Sequence, residues 1–146
     1  MVRRLAWFLA FAGAVPFLLA TAALFVSDAS SVRVPAITAL VTYSAVILSF
    51  LAGIEWGLAI RDDTGTETTR AIALGLGTVS SLAAWALLWL PSPTWQVGCA
   101  LALFVAVWGA DQWMAGRGLL PTWFVDLRTA VSVLVAVILA IALFRL

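Results

Sequence analysis

Five apolar stretches, each about twenty residues or longer, follow one another with only short breaks between them. A helix needs ~20 such residues to cross the hydrocarbon core of a bilayer, whereas a barrel strand needs only ~9–11. Inside lipid every backbone N–H and C=O must be satisfied internally, which leaves helices or closed barrels. The stretches run approximately 5–26, 36–60, 71–90, 95–114 and 124–144. Their length selects helices. The expectation is an all-α integral membrane protein, an up-and-down bundle of five transmembrane helices forming a single domain over residues 1–146, because short connections join antiparallel neighbours.

The breaks carry their own punctuation. Ser27 to Pro35 reads as a Ser-rich turn, Arg61 to Arg70 as a charged loop, and Pro91-Ser92-Pro93-Thr94 as a tight break. Pro-Thr-Trp occurs at 93–95 and again at 121–123, each time just before a spanning segment. Proline is tolerated in a first helical turn, threonine can cap, and tryptophan favours the membrane interface.

Composition narrows the function classes. Charged residues make up 10% of the chain and hydrophobic ones 64%, against about 25% charged in soluble domains. The net charge of +1 gives no basic field for nucleic acid. There is no histidine and a single cysteine, Cys99. That removes the usual axial haem ligand and the commonest zinc ligand, so neither a metal nor a cofactor is expected. The carboxylates of the 61–67 loop lack the spacing of a calcium loop, and no P-loop, dinucleotide fingerprint, nucleophile elbow or HExxH motif occurs. An enzyme is not expected. Arg3-Arg4 before an apolar run resembles a signal peptide, but Leu5 to Val26 exceeds the 7–15 residues typical of one and fits a spanning helix.

Orientation follows from the arginines. With a cytoplasmic N-terminus, Arg3, Arg4, Arg61, Arg70, Arg117 and Arg128 lie inside, against Arg33 and Arg145 outside. Such an asymmetry places the N-terminus in the cytoplasm and the C-terminus in the periplasm of a bacterial inner membrane.

Four ionisable side chains fall inside or at the edge of the apolar runs: Glu55, Asp111, Asp126 and Arg128. Charge at such positions is costly and marks sites or helix-orienting pairs. At 1.5 Å per residue, Glu55 and Asp111 lie roughly 5–7 Å inside their helix ends, on the side where Asp126 and Arg128 begin the last helix. One reading is a polar pocket for lipid, quinone or a partner, built from Glu55, Trp56, Trp108, Asp111, Trp123 and Arg128, with Gln112 and Tyr43 as outlying candidates. Arg128 suits it through its planar fork, and Trp56 or Trp108 offers a cation–π face. The plainer reading is an Asp111–Arg128 pair that orients two helices, with Glu55 reaching the headgroups and Asp126 an acid near a helix start, where the macrodipole favours it. Small residues at Ser49, Gly53 and Gly57 and at Ala73, Gly77 and Ser81 make two smooth strips for close helix packing.

Three stretches resemble a known family, domain of unknown function 3429, which has a mitochondrial member called transmembrane protein 69. They are Tyr43 through Gly57, Ala84-Trp85, and Asp111 through Leu120-Pro121-Thr122-Trp123-Phe124 to Arg128-Thr129. The resemblance implies a multi-helix protein of proteobacterial inner membranes and mitochondria and carries no established activity. Trp56, Asp111, Trp123 and Arg128 fit the family pattern, whereas Ala52 and Glu55 depart from it.

The expected function is therefore a non-enzymatic helper, assembly factor or accessory subunit that packs against lipid or another membrane protein complex. The alternatives are a small transporter or proton/ion pathway using Glu55, Asp111 and Arg128, or a quinone or lipid pocket at the cytoplasmic interface.

Overall fold

The computed structural model describes residues 1–61 and 65–146; Asp62, Asp63 and Thr64, at the centre of the charged loop, lie outside the described residues. Among the described residues the chain is all-helical, with five helical segments long and apolar enough to cross a membrane. The helices are α1 (Val2–Ala12), α2 (Val15–Val26), α3 (Ser30–Ala59), α4 (Glu67–Ala86, continued by a 3-10 turn at Leu87–Trp89), α5 (Pro93–Gly116) and α6 (Thr122–Leu143).

The first expected span is two helices end to end. Pro16 has no N–H to offer the carbonyl of Ala12, and its ring crowds that carbonyl, so the helix breaks there. A tighter turn, Ala14 N–H to Phe11 O at 3.0 Å, bridges the break. The Tyr43 hydroxyl from α3 donates to Gly13 O at 2.9 Å. Phe17, one residue past the proline, packs edge-on against Tyr43 and Phe104 with ring centroids 4.9 and 5.8 Å away.

Several other helix boundaries differ from those expected, three of them instructively. α3 starts at Ser30 rather than Ala36, and Pro35 sits within it. At the sixth helical position a proline forfeits one backbone bond near the helix end, which the exposed first turns can bear. α4 starts at Glu67 rather than Ala71, because Thr66 caps it by accepting from Thr69 N–H at 3.2 Å and Glu67 favours its N-terminus. α6 begins at Thr122, directly after Pro121.

α3 is the hub, packing on α4, α2 and α5, while α6 packs on α5, α2 and α1. The main core joins Leu24, Leu40, Leu48, Val97, Phe104 and Leu139, with a second cluster of Ala59, Ala73, Met114, Leu119 and Leu120 at the end carrying Arg61 and Arg117. At the other end Asp28 ties the start of α3 to the C-terminal end of the chain. Arg145 meets it at 2.9 Å and Arg33 at 3.6 Å, and Arg33 also donates to the Arg145 carbonyl.

The small-residue strips divide. Ala73 and Gly77 are buried against α3, with Ser81 at the edge of that face. A methyl on Gly77 would lie 2.9 Å from Ala52 O and 2.8 Å from the Trp56 ring, so the two backbones approach closely there. Ser49, Gly53 and Gly57 instead face outward, and a methyl on either glycine would meet nothing within 4 Å. The face of α3 that meets α4 is Ala52, Glu55 and Ala59. Four-residue spacing of small residues marks a smooth surface but does not say which face a neighbour takes.

Candidate functional site

Asp111 belongs to the buried stripe of α5, Val97, Ala100, Phe104, Val107, Asp111 and Met114, whose steps of three and four trace one helix face. Arg128 belongs to the corresponding stripe of α6, with Leu127, Ser132, Val135 and Leu139. The short turn at 117–121 makes α5 and α6 antiparallel neighbours and sets these two positions opposite each other. Arg128 Nε donates to Asp111 Oδ2 at 2.7 Å, and Arg128 Nη2 stands 2.6 Å from the same oxygen. Asp111 is 4% and Arg128 7% exposed. The pair is closed.

Beside it lies a second link between the same helices. Trp108 Nε1 and Gln112 Nε2, one turn apart on α5, both donate to Thr129 Oγ1, at 3.1 and 3.2 Å. Trp108 and Gln112 thus join the polar clasp through Thr129, which the sequence offers only as the last residue of the third family-like stretch and not as a site residue.

Glu55 reaches the neighbourhood of the pair but not the pair itself. It is 1% exposed, and both carboxylate oxygens lack a hydrogen-bond partner among the described residues. Its Oε2 lies against Gly77, 3.4 Å from where a methyl would stand, and the charges of Asp111 and Arg128 both act on it. Glu55 therefore does not reach the headgroups. The buried stripe of α3 runs through Leu48, Ala52, Glu55 and Ala59 and carries it inward.

The remaining candidates are dispersed. Trp56 is half-exposed on the α4 side and donates to Thr78 Oγ1 at 3.1 Å. Trp123 lies under the Arg3 guanidinium, 5.5 Å from the ring centroid, and so ties α1 to α6. The other cation–π contacts among the described residues join Arg117 to Trp113 and Arg145 to Phe25, so no tryptophan covers Arg128. Asp126, fifth residue of α6, is exposed. Tyr43 sits near the middle of α3 at the α1–α2 break, away from the clasp.

A family model described as "Protein of unknown function (DUF3429)" matches residues 2–144, a range that takes in all five spans. The chain belongs to the DUF3429 family. Neither the curated proteins nor the solved structures searched contain a match.

This DUF3429 chain also holds a cavity that the sequence reading did not anticipate. It measures about 350 Å³ and lies between the α1–α2 break, α3 and α6, with Phe104 of α5 also in its wall. Its walls are apolar apart from Arg128 and Ser132. Of the predicted site residues, Arg128 alone lines it; Glu55, Trp56, Trp108, Asp111 and Trp123 do not. Pro16 within an apolar run and Ser132 one turn beyond Arg128 were the available signals.

Proposed function

We propose that this DUF3429 protein is a non-enzymatic helper of the membrane, an assembly factor or accessory subunit, with its N-terminus in the cytoplasm of a bacterial inner membrane. The observation that carries this reading is the closed Asp111–Arg128 pair, in which the two opposite buried charges are matched to each other and join α5 to α6. The outward strip of Ser49, Gly53 and Gly57 supports it further, because helices associate in lipid through small residues that let backbones approach.

The test is purification in mild detergent with quantitative mass spectrometry. A stoichiometric membrane-protein partner is expected with the native chain. The partner is expected to be lost in the Gly53→Leu/Gly57→Leu variant, while the melting temperature holds because a carbon added at either glycine meets nothing within 4 Å. Recovery of a monodisperse homo-oligomer alone overturns the reading.

The unpartnered carboxylate of Glu55 favours a second reading, an ion or proton pathway. It ranks behind the first because buried apolar side chains, Leu48, Val41 and Leu40 on α3 and Leu24 on α2, close the bundle beyond it. Proteoliposome flux abolished by Glu55→Gln would reverse that order.

A further inference from the structure

Two features of the cavity set it apart from an ordinary gap between helices. The first is a hydroxyl with nothing to bind. Ser132 is 7% exposed and lines the cavity, yet its Oγ makes no hydrogen bond among the described residues. Buried serines in helices normally donate to the carbonyl four residues back, as Ser44 does to Leu40 O at 2.7 Å. The second is Arg128, one turn before Ser132 on the same face of α6. Its Nε and Nη2 are committed to Asp111, and Nη1 has no partner among the described residues. An i, i+4 pair of this kind sets the two side chains side by side along one helix face.

The rest of the lining is hydrocarbon: Ala10 and Phe17 from the broken first span, Ile47 and Ile54 from α3, Val135 from α6. From Arg128 to Val135 the cavity runs about 10 Å along α6 toward the bundle centre. Its volume is within the ~300–1,000 Å³ of ligand pockets, which are mostly apolar with a few placed polar groups. α1 packs on α6, and its Ala6, Leu9 and Ala10 wall the cavity on that side.

Charge selects the occupant's head. Arg128 is already matched by Asp111. A phosphate or carboxylate would bring a second negative charge to a guanidinium already neutralised in a low-dielectric site, whereas a neutral oxygen acceptor adds none. We propose that the cavity binds the chain of an uncharged amphiphile whose carbonyl oxygen accepts hydrogen bonds from Arg128 Nη1 and Ser132 Oγ. Prenyl quinones and uncharged acyl esters share this chemistry.

The experiment is native mass spectrometry of the full-length protein after lipid exchange. Separate arms are loaded with a prenyl quinone, with diacylglycerol and with phosphatidylglycerol. Retention of the quinone or of diacylglycerol is expected, and whichever arm is retained identifies the source. Ala10→Phe, which fills the cavity with an apolar ring, is expected to abolish retention. Ser132→Ala breaks no internal bond and is expected to weaken it about threefold to tenfold, the worth of one hydrogen bond. Melting temperatures of both variants establish that they are folded, and Ser132→Ala decides the matter should the larger substitution fail to fold. Retention of neither uncharged compound, preference for phosphatidylglycerol, or unchanged retention in Ser132→Ala overturns the proposal.

Discussion

Asp111 and Glu55 are both acidic, both buried, and less alike than their positions suggest. Asp111 has a guanidinium on one oxygen; Glu55 has no hydrogen-bond partner on either. Replacing Asp111 by Asn leaves Arg128 buried without its counter-charge, a change that typically costs about 3–5 kcal/mol. Glu55→Gln keeps the shape of the side chain and removes no bond, so it is expected to be neutral or stabilising. Equilibrium unfolding in mixed micelles checks the contrast, and equal losses in the two variants would mean that Glu55 holds a partner. The pairing of Asp111 with Arg128 was legible because both lie on three-four stripes that meet across a short turn. The isolation of Glu55 was not, since it depends on how near α4 comes at Gly77.

At the scale of elements, a methyl group distinguishes packed from open surface. Gly77→Ala places a carbon 2.9 Å from the Ala52 carbonyl, which cannot move without shifting α3. Such overpacking is expected to cost about 1–3 kcal/mol, whereas Gly53→Ala meets nothing and is expected to leave the melting temperature unchanged or slightly raised. Thermal scans of the two variants side by side give the answer. Hydropathy sufficed to count the spans, because lipid permits few alternatives to a helix. It could not locate the α1–α2 break, where mean apolar character is unchanged and one missing N–H at Pro16 decides. Nor could it tell that the small-residue strip of α4 is packed and that of α3 is open, since both are compatible with a helix and only the neighbour's position separates them.

Seen whole, the bundle is held at three levels: Asp28 with Arg33 and Arg145 at one end, the apolar core in the middle, and the Asp111–Arg128 and Thr129 links toward the other. The fold class and the level of the charged residues could be read from the chain. The cavity could not, because it arises from the angle at which a broken helix leaves its neighbour. The central claim is that Asp111 and Arg128 act as one structural unit. The measurement that tests it most directly is a double-mutant cycle, Asp111→Leu, Arg128→Met and both together, in unfolding of the purified protein. Each single change is expected to be severe and the double variant to recover most of the loss, with a coupling of at least about 2 kcal/mol. Losses that add to within about 0.5 kcal/mol would contradict it.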